Sequence, residues 1–477
     1  MRQGRPVGSR RRGPAARAHP RADRRRNCIL TLEDSARRAV EAALDAGASD
    51  AEAWAEEGTS RRIHVYGGEV ESLSDAGGRG VGVRAFVDGR SGYAYGTDLA
   101  ERAVRETAGA AREAAEVADP DEHGGLPEEF GATPVEGLAS SALGDWSTER
   151  KVDLALAVER AARERPGVTQ VENAVYSDAE GGVALANSRG FSAGYEATQA
   201  WAYASAFAGE GSDLMTGLGV GLGRDPEALD SEAIGAEAAE RALALVGARQ
   251  PQSRRCPVVL DAFVAASFIG FIGSMLSADA VQRGRSLFAG REGDEIAASV
   301  LALADDATDS SGPSSSPFDG EGSPTRRTAL IEDGRLLTFL FDARTARKAG
   351  RATTANASRG SYRSPPSVGT TNLTLQPGTA DLEALFGEAG DGLYVTDVAG
   401  LHSGVNPVSG TFSVGASGRL IEQGEAATPV RELTIASDLV SMLQAVRALG
   451  SEARWVPFGG SVKAPPILID EMSVSGS

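Results

Sequence analysis

Side chains able to do covalent or metal chemistry are few and scattered in this 477-residue chain. The four histidines, His19, His64, His123 and His402, are far apart, and none has a Glu or a second His at helical spacing. A zincin-type metal motif is therefore missing. There is no GxSxG elbow to expose a nucleophile and no phosphate-cradling P-loop. The weak catalytic candidate is His402, in the glycine-flanked loop His402-Ser403-Gly404. A metal-independent hydrolase would use it as general base toward Ser403 or Ser409, although a lone loop histidine of this kind is more often packed or simply exposed. Cys28 and Cys256 do not make a disulfide framework and fit a reducing, cytoplasmic setting. The alternating glycines Gly78, Gly80, Gly82 and Gly217, Gly219, Gly221, Gly223 lack the turn and helix of a dinucleotide fingerprint. Period-two glycines lie on one face of a strand, where another backbone or side chain packs closely.

The stretch that matters most is chemically inert. Val258 to Leu276 reads VVLDAFVAASFIGFIGSML, and its only ionisable group is Asp261. Its length approaches a bilayer's hydrocarbon thickness. Asp261, two glycines and two serines dilute it, and no basic flank follows, so the sequence predicts a buried helix.

Around this segment the chain reads as mixed α and β. Thr31-Leu32-Glu33-Asp34 has the form of a capping box opening a helix that runs to Gly47. Short alternating runs follow at 51–57, 62–66, 69–74 and 80–96, the last broken by Asp88-Gly89, a strong hairpin signal. Helices are expected over 98–117 and 147–165, separated by a Pro- and Gly-rich loop at 119–146. Strands near 168–176, 181–187, 190–208 and 213–222 then precede a helix over 231–246. After a linker at 247–253, a strand at 256–260 leads into the apolar helix. Strands and turns dominate from there, interrupted by helices near 342–350, 380–388 and 437–448. The fold class is α+β. An N-terminal domain over 31–250, sub-divided near 119–146, carries antiparallel strands and flanking helices; a C-terminal domain over 251–477 is β-rich, barrel- or sandwich-like. Residues 305–327 form a long polar loop, a kind more often functional or mobile than structural.

Charge sharpens the exclusions. The net charge is −18, yet residues 1–26 hold ten Arg against Asp23, leaving −27 for the rest. An acidic body of that size argues against a nucleic-acid surface. Residues 1–30 read as a basic, disordered extension or a mis-assigned start, since no apolar stretch completes a secretory or twin-arginine signal. Lysine occurs only at 151, 348 and 463, a base-composition bias without functional meaning.

Four ordered stretches carry a resemblance: Ser316-Pro-Phe-Asp-Gly-Glu-Gly322, the hairpin Leu330–Leu337, Asp342–Gly350, and the run from Val395 through Ser409-Gly-Thr-Phe-Ser413 to Ile435. In order and spacing they resemble the TldD/PmbA family, once called modulators of DNA gyrase. The resemblance covers nearly the whole chain after Ile29. It implies two branches. TldD-like members carry a metal-binding HExxxH on the helix after the first C-terminal strand and a distal Cys near the C-terminus, and cleave unfolded or leader peptides. PmbA (TldE)-like members lack these ligands and pair with TldD as a heterodimer. Here the six corresponding residues read Ile269-Gly270-Phe271-Ile272-Gly273-Ser274, and the distal turn reads Phe458-Gly459-Gly460-Ser461 without Cys. The degenerate positions Ile269, Gly270, Ser274, Gly459 and Gly460 imply that no metal is held by this chain. The resemblance thus implies a non-metal-binding subunit of a heterodimeric metalloprotease, with zinc on a TldD-like partner. The alternatives are a homodimeric peptide-binding protein and the His402 hydrolase.

Overall fold

A computed structural model describes residues 31–456 and 461–477. The basic segment 1–30, including Cys28 and His19, and the turn positions Gly459 and Gly460 lie outside the described residues.

The fold begins as the capping box predicts: the Thr31 side chain accepts from the Asp34 amide while Asp34 reaches back to the Thr31 amide, opening α1 (Leu32–Asp45). Three strands follow, β1 (Asp50–Tyr66), β2 (Glu69–Val87) and β3 (Arg90–Gly96), then helix α2 (Glu101–Val117). The β2–β3 hairpin turns at Asp88 and Gly89, both with positive φ (48° and 74°), as a two-residue primed turn requires. A one-turn helix α3 (Ala142–Asp145) and α4 (Thr148–Arg163) lead to β4 (Val168–Asn187), β5 (Ser192–Ala208), β6 (Met215–Gly223) and α5 (Ser231–Leu243).

These six strands make one antiparallel sheet in the order β3-β2-β1-β4-β5-β6. The short runs read from sequence merge into strands of 17 to 20 residues. Gly58 stands opposite both Gly78 and Gly181, so cross-strand pairing carries the backbone through residues that look like breakers. Alternation along β1 separates two jobs. Ala51, Ala53 and Ala55 pack under α1 and α2, whereas Glu52 and Trp54 face the second half of the chain. Further along, Ile63 and Val65 join the core under α4 and α5. The alternating glycines mark close approaches, as expected. A Cβ on Gly219 would fall 2.0 Å from the Ile234 carbonyl of α5, and one on Gly80 would fall 2.3 Å from the Tyr362 ring.

The second half is β-rich. β7 (Arg254–Leu260) runs into the apolar helix α6 (Ala262–Met275) and a short α7 (Ala278–Gln282). Then come β8 (Leu303–Asp306), β9 (Arg327–Glu332), β10 (Arg335–Leu336), α8 (Ala343–Lys348), β11 (Ala357–Ser358), β12 (Ser367–Val368), β13 (Asn372–Leu375) and α9 (Leu382–Ala389). The chain closes with β14 (Gly392–Ala399), a turn of helix α10 (Leu401–Gly404), β15 (Thr411–Glu422), β16 (Glu425–Asp438), α11 (Leu439–Gln444), β17 (Val446–Leu449), β18 (Arg454–Val456), β19 (Ser461–Ala464) and β20 (Ile467–Ser475). The order β16-β15-β14-β7-β20, with β16 pairing back onto β20, closes a five-stranded barrel. Beside it lies the sheet β10-β9-β8-β13-β19-β18. The helix expected over 437–448 ends at Gln444, because Val446–Leu449 pair with β20 instead.

Among the described residues no helix is long and apolar enough to cross a membrane. The apolar stretch is consumed internally: Val264, Phe268, Ile269, Ile272 and Met275 belong to the main core shared by barrel and second sheet.

Candidate functional site

The start of α6 is a polar junction. Asp261 caps the helix, its carboxylate accepting the Phe263 amide at 3.0 Å. It also takes Arg241 of α5 at 3.0 and 3.3 Å and the Tyr394 hydroxyl at 2.8 Å. Burial, then the charge of Asp261, pushes the Tyr394 hydroxyl well above its usual range. Arg241 and Arg454 both bind Glu237 and both lie over the Phe263 ring, at 4.5 and 4.4 Å. The lone acid of the apolar segment thus joins α5 of the first sheet to the helix of the second half.

Beyond that cap the helix offers no chemistry. Ile269 and Ile272 are 1% and 0% exposed. A Cβ on Gly273 would fall 2.2 Å from the Leu373 side chain, so α6 lies close against β13. Gly270 and Phe271 are half-buried. The exposed Ser274 donates its hydroxyl to the Phe271 carbonyl at 2.6 Å. Imidazole, thiolate and carboxylate, the usual ligands of zinc, do not occur among the six. Among the described residues, no group of three or more His, Cys, Asp and Glu is placed to hold a metal ion. Ser461, which follows the distal turn, is buried and donates to Asn372 Oδ1 at 3.0 Å. Asn372 in turn donates to the Asp306 carbonyl and to Ser315.

His402 sits in α10, exposed to solvent. Among the described residues it has no hydrogen bond to a serine: Ser403 donates to the Gly400 carbonyl at 3.3 Å, and Ser409 pairs with Thr411 at 2.8 Å. Ser403 borders an open hollow of about 530 Å³ with Asn406 and Ser413. The other described histidines meet acids, not each other: His64 with Glu71 at 2.6 Å and His123 with Glu122 at 3.4 Å.

Residues 305–327, expected as a loose loop, are instead the wedge between the first sheet and the second half. Phe318 enters an aromatic pocket, 5.4 Å from Tyr195, 5.6 Å from Phe191 and 6.5 Å from Trp54. Arg84 reaches Glu52 at 3.0 Å and Glu321 at 2.8 Å, and Arg359 pairs with Glu52. Glu321 also accepts the Ala343 amide at 2.9 Å. Asp319 accepts amides of Glu321, Ser323 and Ala357. Burial, then the Glu321 charge, raises the carboxyls of Asp319 and Asp342. A polar segment can be buried here because its acids find arginines and amides, as buried charge requires. Sequence reasoning missed Glu52 and Arg84. Their signal was a charge set inside an apolar run: Glu52 between alanines, and Arg84 between Val83 and Ala85.

Asp305 lies in the same segment, 1% exposed. Burial pushes its carboxyl up to about 6, against hydrogen bonds from Thr371 and Asn356. A folded pKa above the unfolded value makes a contribution that is whole at low pH and lost as pH rises. The stability of the parent protein relative to Asp305→Asn should therefore fall by up to about 3 kcal/mol between about pH 4 and pH 6, then level off. Denaturant titrations at several pH values measure it; a pH-independent difference would mean an ordinary carboxyl.

A wide cleft of about 1420 Å³ opens over the middle of the first sheet. Its floor includes Gly58, Gly78 and Gly181, and its rim carries Glu57, Glu180 and Arg363.

Three successive segments of the chain match the PmbA/TldA metallopeptidase: domain 1 over residues 51–115, the central domain over 142–246 and the C-terminal domain over 253–476. The chain is similar to the metalloprotease PmbA of Escherichia coli O157:H7, 28% identical over 449 residues, covering 93% of this chain and 96% of that protein. Among solved structures it resembles a Thermotoga maritima protein described as a modulator of a DNA gyrase, with a TM-score of 0.85 and 27% identity, over 93% of this chain and all of that one. TldE from Thermococcus kodakarensis shares the fold at a TM-score of 0.84 and 23% identity, over 92% of this chain and 99% of that one.

Proposed function

This chain belongs to the PmbA/TldD metallopeptidase family, and we propose that it is the family's non-metal-binding subunit. In this reading it pairs with a TldD-like subunit that carries HExxxH and zinc, in the cytoplasm, and helps hold unfolded or leader peptides. The observation that carries the reading is α6. Where a metal-binding member would place two histidines and a glutamate, this helix presents Ile269, Gly270 and Ser274. Ile269 is enclosed, and the Ser274 hydroxyl is spent on its own helix. The residues present do not fit zinc.

Without a metal to lower the pKa of water, hydrolysis at neutral pH needs a nucleophile activated by a base. The His402 region supplies no such hydrogen-bonded pair among the described residues, so the reading gives this chain structure and peptide contact rather than bond cleavage. The β-rich body suits that role, because a sheet edge holds an extended peptide through backbone hydrogen bonds with little sequence preference.

Elemental analysis of the purified chain tests the assignment. The expected result is far less than one zinc per chain; one tightly held zinc per chain would overturn it. If the chain instead forms a stable homodimer, binds peptides and ignores every HExxxH-bearing family member, it is a free-standing binding protein.

A further inference from the structure

Among the described residues, the first sheet leaves one long edge uncovered. β3 pairs with β2 only over Val81–Val87. From Glu69 to Arg79, β2 is paired on its β1 side alone, and every one of these residues is exposed. Natural edges of this length are usually blunted by Pro, Lys, a bulge or a covering element. Here Glu69–Arg79 contains neither Pro nor Lys, and a bulge at Glu71 interrupts only its start, so Ser72–Arg79 runs in regular register. Val70 and Leu73 stand 43% exposed on it, with Tyr66 46% exposed at the adjoining turn. The edge ends where Gly80 passes beneath Tyr362. There it meets the wide cleft, whose lining includes Gly77, Gly78 and Arg79 of the same strand. A chain laid along β2 would therefore run directly into a cavity of about 1420 Å³.

Charge selects the occupant. The cleft presents Glu33, Glu57, Glu180 and Glu196 against Arg79 and Arg363. The edge adds Glu69, Glu71 and Asp75, of which Asp75 is matched by Arg61 at 2.7 Å and Glu71 meets His64. In a symmetric antiparallel pair with a second copy, registers centred on Glu71, Ser72 or Leu73 set Glu71 on Glu71, Glu69 on Asp75 or Glu71 on Asp75, and like charges facing across strands are destabilising. A cationic strand meets the opposite situation, since its side chains find Glu69 at the start of the edge and the glutamates Glu33, Glu57, Glu180 and Glu196 in the cleft. We propose that the free edge of β2 and the adjoining cleft form one track for an extended, basic polypeptide segment, held by backbone pairing along Glu69–Arg79 and by the acidic cleft at its end. This rests on the peptide-holding role proposed above and says where the peptide lies and which charge it carries.

The test uses the intact chain alone, so it can fail while the absence of cleavage and of metal stands. The probe is a fluorescent peptide long enough to span the edge, with arginine alternating with threonine and valine; its control replaces each arginine by glutamate. Fluorescence anisotropy should show salt-sensitive binding of the basic peptide and at least about tenfold weaker binding of the control. Ser72→Pro and Leu73→Pro are made separately. Neighbouring amides alternate in direction, so one variant removes an outward amide and should keep its melting temperature while losing peptide binding. The exposed set Glu57→Lys, Glu180→Lys and Glu196→Lys should weaken the basic peptide by about tenfold or more with the fold unchanged, so the test holds even if both proline variants unfold. Equal binding of both peptides, no binding of either, or indifference to the lysine set would overturn the proposal. So would a proline variant that converts a dimer to monomer while peptide binding is untouched, which would give the edge to a second copy.

Discussion

Mixing this chain with an HExxxH-bearing member of its family should raise the cleavage of an unfolded peptide by at least about 10³-fold over the chain alone, and a chelator should abolish the gain. The size follows from the chemistry. Bound metal lowers the pKa of water to about 7 and polarises the carbonyl that water attacks. On the proposed reading, a helix that offers Ile269, Gly270 and Ser274 supplies neither advantage, and among the described residues the His402 region has no hydrogen-bonded base–nucleophile pair to replace them. The measurement is the initial rate for each subunit separately, for the mixture, and for the mixture with chelator followed by zinc. Chelator-resistant cleavage by this chain alone, at constant specific activity through purification, would refute the subunit reading. His402→Ala in the mixture adds a second check: a change within a few-fold fits a loop residue, whereas a loss of about 10³-fold would place acid–base chemistry in this chain.

Ile272→Asp should destabilise the protein by about 5 kcal/mol or more, enough to unfold a domain of ordinary stability. Ile272 is fully enclosed, in the core that joins the barrel to the second sheet. A carboxylate there would have no cation or amide to meet, because α6 already uses its own backbone hydrogen bonds. Ile272→Val, which removes only one methylene, should cost about 1 kcal/mol. Phe271→Asp should cost much less than Ile272→Asp, since Phe271 is only partly buried beside that core. Circular dichroism melts and denaturant titrations of the three variants give the order. If Phe271→Asp and Ile272→Asp were equally harmful, or equally harmless, α6 would not be seated as described. The contrast bears on function as well. A helix that spends Ile269 and Ile272 on packing and brings Gly273 against Leu373 is committed to the core rather than to a site.

Local signals were read correctly wherever neighbours in sequence settle the geometry. The Thr31 capping box, the Asp88-Gly89 turn and the period-two glycines each state a constraint carried by one or two adjacent elements, and each is realised. The absence of metal-ligating side chains at 269–274 is equally a property of residue types. Strand length was not legible: Gly58, Gly77, Gly78 and Gly181 look like breaks until the neighbouring strands are present to pair with them. Likewise, Val446–Leu449 extend an apolar helical pattern but pair with β20, a partner that no local pattern reveals.

By itself, the sequence determined the α+β class and the inert apolar helix, which follow from composition and periodicity, the family, which follows from the order of its motifs, and the absence of His, Cys, Asp and Glu at positions 269–274. Only the tertiary structure decided the role of residues 305–327. A polar, glycine-rich segment reads as a mobile loop until Arg84, 237 residues away, reaches Glu321, and Arg359, 307 residues from Glu52, reaches that carboxylate. Burying such a segment costs several kcal/mol per unpaired charge, so its fate depends on partners that no local pattern reveals. The same holds for the free edge of β2: an alternating run announces a strand, but whether both sides are paired is fixed only when β3 ends at Gly96, opposite Val81.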